Sequence, residues 1–342
     1  MFLRVGARGA GRGRTAASSV ASGGGGAWAW PSPVRREHRL RDGATLEVLE
    51  AVPAGGGGGT GRQQPLVFLH GSYHAAWAFE NFLEQFSARG YPCYAPSFRG
   101  HGSSAPPRTP GDPLEGTLEG HAADVVDFIE NGIAGGAPPV LVGHSFGGLI
   151  AQKVAVCEAN RTAAGRKPPG RLNKLAGLAL LNSVPPKGNG GMTTRFLLTR
   201  PLDAWRVTMG FIRKTFEDSQ DECRYLFFSG DLPDVDLERY RGLISASAQP
   251  GAKLLDLRKL NGSLPIPAAP STMPPVLVLG SANDNVVDRE GVLETAAHFG
   301  VAPVILEASA HDSMLDTRWQ EAATELERFL EASSKKSLHV GR

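Results

Sequence analysis

Residues 140–148 read VLVGHSFGG, and no other stretch constrains the architecture so tightly. The apolar run PPVLVG (138–143) has the length and composition of a short buried strand. From Gly147 onward, GGLIAQKVAVCEAN reads as an apolar-rich helix, which leaves Ser145 in the turn between the two. Gly143-His144-Ser145-Phe146-Gly147 has the form G-x-S-x-G. Its small residues let the chain turn so sharply that the hydroxyl stands clear at the strand's end. The helix that follows aims its unpaired N–H groups and positive end at the same spot, where developing negative charge is stabilised.

The rest of the chain repeats that alternation. EHRLRDGATLEVLEAV (37–52) reads as a hairpin around Asp42-Gly43. Strand-like PLVFLHG (65–71), YPCYAPS (91–97), LAGLALLNS (175–183), PPVLVLG (274–280) and APVILEA (302–308) are interleaved with helical 76–90, 120–131, 289–300 and about 317–332. Strands alternating with helices predict an α/β fold, a mostly parallel sheet flanked by helices. One segment departs from the pattern. Residues 187–273 carry helical patterns and no strong strand, and so long a connection within a compact domain has structure and function of its own. We read it as an inserted helical cap, with the core in two parts, 37–186 and 274–333, and a C-terminal tail at 334–342.

Charge separates the first 36 residues from the remainder. They hold six arginines and no acid, and Gly, Ala and Ser fill most of the other positions. Without those arginines the net charge of +2 becomes −4, so the main body offers no basic footprint for nucleic acid. An Arg-rich, acid-free leader lacking a long apolar core is the composition of a transit peptide. Its Gly, Ala and Ser content favours the chloroplast over the mitochondrion; an untargeted tail would leave the protein in the cytoplasm. No run of eighteen apolar residues predicts a membrane span. Cys93, Cys157 and Cys223 lack metal-ligand spacing and fall in segments that read as packed structure, which predicts buried free thiols. The Gly-rich runs at 23–26 and 55–59 lack the frame of a phosphate loop, and no His, Cys and acid cluster has metal-site spacing; neither cofactor nor metal is expected. Oligomeric state is not readable from the sequence.

A serine hydroxyl attacks only when a base takes its proton and an acid orients that base. Of nine histidines, His311 lies in the loop after the last strand-like run, in ASAHDSML, whereas His121 and His298 fall within helical patterns and His144 adjoins the serine in a turn where neighbours point apart. Asp284 emerges at a strand's end in VLVLGSANDNVVD; Asp288, four residues on, has the place of a helix N-cap. The resulting order, Ser145, Asp284, His311, is the one a strand-to-helix serine elbow requires. Backbone donors for an oxyanion would come from Phe146, after the serine, and from Ser72, with Tyr73 as the second candidate, in PLVFLHGSYHAAW. There Gly71 permits close backbone approach, and His70 has a structural role.

The set FLHGSYHAAWAF, FRGHGSS, VGHSFGG, GSANDNVV and ASAHDSML resembles the α/β-hydrolase superfamily, specifically its plant and bacterial esterase/lipase-like members with a helical cap. The resemblance covers about residues 37–332. It implies a Ser145–His311–Asp284 triad and an oxyanion hole from Ser72 and Phe146. Where many relatives have Asp before the RGHG segment, this chain has Ser97-Phe98-Arg99-Gly100. A serine at the elbow disfavours dehalogenation and epoxide opening, because attack there would leave an ether. The expected chemistry is hydrolysis of a carboxylic ester or thioester of a hydrophobic, lipid-like small molecule. Acyl transfer, C–C bond hydrolysis by the same triad, and a non-catalytic ligand-binding receptor are the alternatives.

Overall fold

The computed structural model describes residues 33–53, 63–106, 116–133, 136–164, 175–248, 254–255 and 257–340. Nearly all of the arginine-rich leader and both Gly-rich runs lie outside them. Eight strands form one sheet: β1 (Val34–Arg39), β2 (Thr45–Ala51), β3 (Leu66–Leu69), β4 (Cys93–Pro96), β5 (Val140–His144), β6 (Gly177–Leu181), β7 (Val276–Ser281) and β8 (Val304–Leu306). They lie in the order β1-β2-β4-β3-β5-β6-β7-β8. The hairpin strand β2 pairs antiparallel with β1 and β4, and every pairing from β4 to β8 is parallel.

Parallel strands need both faces covered, and the two-residue period of the side chains shows how this is done. Leu66 and Phe68 of β3 join one apolar cluster while Val67 and Leu69 join the other. The first cluster is closed by α1 (Glu80–Ala88) and α11 (Trp319–Val340), through Phe82, Phe86, Leu326 and Leu330. The second is closed by α2 (Leu118–Gly132), α3 (Ser145–Ala163) and α10 (Arg289–Phe299). Phe68, Phe79, Phe82 and Phe86 are fully buried in mutual ring contact, each burial stabilising the fold by roughly 1.5–3 kcal/mol.

Between β6 and β7 the chain forms α4 (Gly190–Thr199), α5 (Pro201–Arg213), α6 (Thr215–Asp218), α7 (Gln220–Phe227), α8 (Asp234–Ser247) and α9 (Leu257–Ser263). Pro201 starts α5 where its missing N–H costs nothing, and Lys214, in the left-handed region, ends it. Among the described residues this segment contains no strand.

Two local readings need correction. The last helix runs on to Val340, through most of the stretch read as a tail. Cys93 and Cys223 are buried, but Cys157 is exposed on α3, since that helix turns one side to solvent. Burial pushes the Cys223 thiol up to about 12. At the Ser97 departure, a carboxylate arrives from elsewhere. Glu47 of β2 accepts from Ser97 Oγ at 3.0 Å and from the Ser103 N–H at 2.9 Å, and Arg35 Nε approaches it at 2.9 Å. Arg99, also buried, pairs with Asp124 and Asp42, both at 2.7 Å.

Candidate active site

Ser145 sits between β5 and α3 with φ +53°, a left-handed conformation that non-glycine residues adopt only where the surroundings enforce it. The enforcement is contact with the neighbouring strand. A Cβ on Gly147 would lie 2.3 Å from the carbonyl oxygens of both Leu69 and His70, so α3 approaches the end of β3 only because that atom is missing. From the other side, a Cβ on Gly71 would meet Ser145 Cβ at 2.9 Å. The elbow and the loop after β3 are thus held in direct contact.

His311 and Asp284 come from loops after β8 and β7. His311 Nδ1 donates to Asp284 Oδ2 at 2.8 Å, and both residues are buried. Three further groups hold the carboxylate: Asn182 Nδ2 on Oδ2 at 2.9 Å, and the N–H groups of Val286 and Val287 on Oδ1 at 2.7 and 2.9 Å. Asn182 itself has φ +47° and accepts from Ser313 Oγ at 2.8 Å. Burial acts to lower the His311 pKa, but the Asp284 charge and hydrogen bond outweigh it and raise the value above 6.5. Asp288 has a different use. It caps α10 by accepting from the Gly291 N–H at 2.9 Å and holds Arg195 through two bonds of 2.6 Å.

A second polar layer lies behind His311 and has no signature in the sequence motifs. Asp312, the next residue, is fully buried and accepts from His74 Nε2 at 2.7 Å. His74 Nδ1 lies 2.8 Å from the Ser72 carbonyl oxygen, so one ring ties the His311 loop to the loop after β3. His144 Nε2 donates to the His311 carbonyl at 3.0 Å. Burial, with the His311 charge adding to it, takes the His144 pKa down to about 3, which keeps that ring neutral. Against Asp312 burial works upward, yet the charge and hydrogen bond of His74 lead the opposing effects and hold its pKa below the usual 3.8. The donor atoms of His144, His311 and Asp312 lie within 4.8 Å of one another, the one such grouping among the described residues. All three already have partners within the protein, Asp284 for His311, the His311 carbonyl for His144 and His74 for Asp312. His70 fixes the same region: its Nε2 accepts from the Phe98 N–H at 2.9 Å and its Nδ1 donates to the Gly71 carbonyl at 2.8 Å.

Ser145 and His311 line one cavity of about 310 Å³, and Ser72, Tyr73 and Phe146 line it too. Phe146 falls in the first turn of α3, whose amides have no partner within the helix. Opposite, the wall is apolar and comes from the inserted helices: Met192, Phe196, Ala204, Val207, Phe211 and Phe227. Tyr73 reaches across to that wall, stacking on Phe211 and donating from its hydroxyl to the Phe211 carbonyl at 3.1 Å. The site therefore joins a polar, charge-bearing side to an apolar side deep enough for a chain or ring.

The family model described as "Alpha/beta hydrolase family" matches residues 66–325. A non-heme chloroperoxidase of Streptomyces lividans is 36% identical over 123 residues, 36% of this chain and 37% of that protein, so the match spans little more than a third of the relative's length. Among solved structures, the 2-hydroxy-6-oxo-6-phenylhexa-2,4-dienoate hydrolase of Rhodococcus sp. strain RHA1 superposes with a TM-score of 0.59 at 17% identity, covering 87% of this chain and 99% of that one. The esterase RhEst1 of Rhodococcus sp. ECU1013 superposes at 0.56 and 18% identity, covering 87% and 98%. At these identities the structural likenesses show the fold alone.

Proposed function

The chain belongs to the alpha/beta hydrolase family, and from that premise we propose that it is a serine hydrolase. On this reading it cleaves a carboxylic ester or thioester of a hydrophobic, lipid-like molecule through an acyl-enzyme. The observation that carries the reading is the 2.8 Å contact of Asp284 with His311 on a cavity whose wall also holds Ser145. With Nδ1 committed to Asp284, the imidazole keeps Nε2 for proton transfer.

The steps follow from those roles. His311 Nε2 takes the Ser145 proton as Oγ attacks the carbonyl carbon, and the oxygen of the tetrahedral intermediate is met by the N–H groups of Ser72 and Phe146. The intermediate collapses, the imidazolium gives its proton to the departing alcohol or thiol, and the acyl group stays on Ser145. Water, deprotonated by the same His311, attacks the ester, and collapse returns the free acid and the serine. The apolar wall from α4 and α5 supports a hydrophobic acyl or alcohol group.

Two measurements test this together. A fluorophosphonate should label Ser145 and no other serine, and p-nitrophenyl esters of increasing chain length should be turned over by the wild type and not by Ser145→Ala. Labelling elsewhere would overturn the assignment of Ser145, and tight ligand binding without turnover would replace the hydrolase reading with that of a binding protein.

A further inference from the structure

Helix α5 has two apolar sides. Ala204, Val207, Thr208 and Phe211 face the cavity, which uses up one of them. Leu202, Trp205, Met209 and Ile212, spaced three and four residues apart, form the other. Leu202 is 84% exposed, Trp205 65% and Ile212 63%; Leu198, at the end of α4, is 79% exposed. A surface helix normally turns a polar side to water, so one that is apolar on both sides is built to be covered. Ile212 also lines the cavity, so the exposed stripe runs up to the edge of the site.

The charges around the stripe identify what covers it. Residues 187–214 carry six cations, Lys187, Arg195, Arg200, Arg206, Arg213 and Lys214, against one acid, Asp203. The next 24 residues reverse the sign, with eight acids against Arg224 alone, in a chain whose main body is net acidic. Arg195, Arg206 and Lys214 pair with Asp288, Glu222 and Glu217, and Arg200 approaches Asp203 at 3.9 Å, so the positive charge left to face outward beside the exposed apolar side chains rests on Arg213 and Lys187. An amphipathic helix with apolar residues, an indole and flanking arginines is the element that lies in the headgroup layer of an anionic bilayer, with its axis in the plane. Trp205 suits that depth, its ring apolar and its N–H wet. No described helix is long and apolar enough to cross a membrane, so the contact is peripheral.

We propose that the α4–α5 face is a docking surface for anionic phospholipid bilayers, set so that a lipid-borne ester enters the cavity past Ile212 from the membrane rather than from water. The inference extends the hydrolase reading, but docking is measurable without turnover, and so the two can fail separately.

The test uses the full chain and sedimentation with vesicles of phosphatidylcholine, with and without phosphatidylglycerol. Wild type and Ser145→Ala should both bind the anionic vesicles, more weakly as salt is raised. Leu202→Glu with Trp205→Glu should lower the partition coefficient about tenfold or more. Neither residue lines the cavity, so hydrolysis of a short, water-soluble ester should stay at the wild-type rate and report that the variant is folded. Arg213→Glu, with the stripe intact, should cut the preference for anionic over zwitterionic vesicles roughly fivefold. The arginine-rich N-terminus is common to all variants and cancels. Binding by the double variant equal to wild type would overturn the proposal, as would a wild-type dimer that becomes monomeric on substitution with vesicle binding unchanged, since a second copy would then be the occupant.

Discussion

The two sides of the cavity are stabilised by opposite means. On the sheet side, one carboxylate, Asp284, takes four hydrogen bonds from four different residues, and the loops bearing His311 and Ser72 are cross-linked through His74 and Asp312. Each buried polar group there depends on its partners, so position is fixed to a fraction of an ångström and a single lost partner strands a charge. On the helical side, Phe196, Val207 and Phe211 meet the cavity through dispersion and burial alone, which have no preferred direction. Such a wall can change shape without changing the chemistry opposite it.

That contrast can be broken first at Asp284. Asp284→Asn keeps the shape but offers an amide that can donate toward His311 Nδ1, favouring the tautomer whose Nε2 already carries a proton. We expect kcat to fall by about 10⁴-fold with KM little changed. A loss below tenfold would show that the hydrogen-bonded side is not where the rate is set.

The next effect is in pH. His311 acts as a base only when neutral, and Asp284 raises its pKa, so the acid limb of kcat/KM should have its midpoint above pH 6.5, with about tenfold loss per unit below it. Stability runs the other way. A histidine whose pKa is raised on folding contributes stabilisation that is complete below its unfolded pKa and is lost as pH climbs through the folded value. The protein should therefore gain activity and lose this pair's contribution over the same window, which a pH-rate profile and a thermal melt series would read side by side.

The smallest effect belongs to the apolar wall. Phe211→Ala should lower kcat/KM for long-chain esters about tenfold relative to short ones and leave the short-chain rate near wild type. If short and long substrates fall together, the phenyl ring supports the loop at Tyr73 rather than the substrate chain.

The architecture was legible because its signals are local. Apolar runs of strand length, such as LVFL and VLVLG, and helical periodicity in 76–90 and 289–300, each fall within a few residues of the observed elements. The positions brought together at the cavity, Ser145, His311, Ser72 and Phe146, with Asp284 behind His311, were legible for a related reason: a parallel sheet gathers the loops at one edge of its strands. What could not be read depends on distant partners. His74 and Asp312 are 238 residues apart, and Asn182 lies 102 before Asp284, with no spacing rule to connect them. Glu47, standing by Ser97 from the edge hairpin, is of the same kind, and the exposure of Cys157 depends on which way a helix faces.

The strand that leads into the inserted helices is stitched to the site at its very end. The Val184 N–H donates to the Ser145 carbonyl at 3.1 Å, and Asn182, two residues earlier, grips Asp284. Swapping the inserted segment for that of another hydrolase would thus have an unequal pair of splice points. A junction placed after Val184 leaves both stitches intact, whereas one placed three residues earlier, after Leu181, would replace Asn182 along with the cap and unpick the acid from its holder.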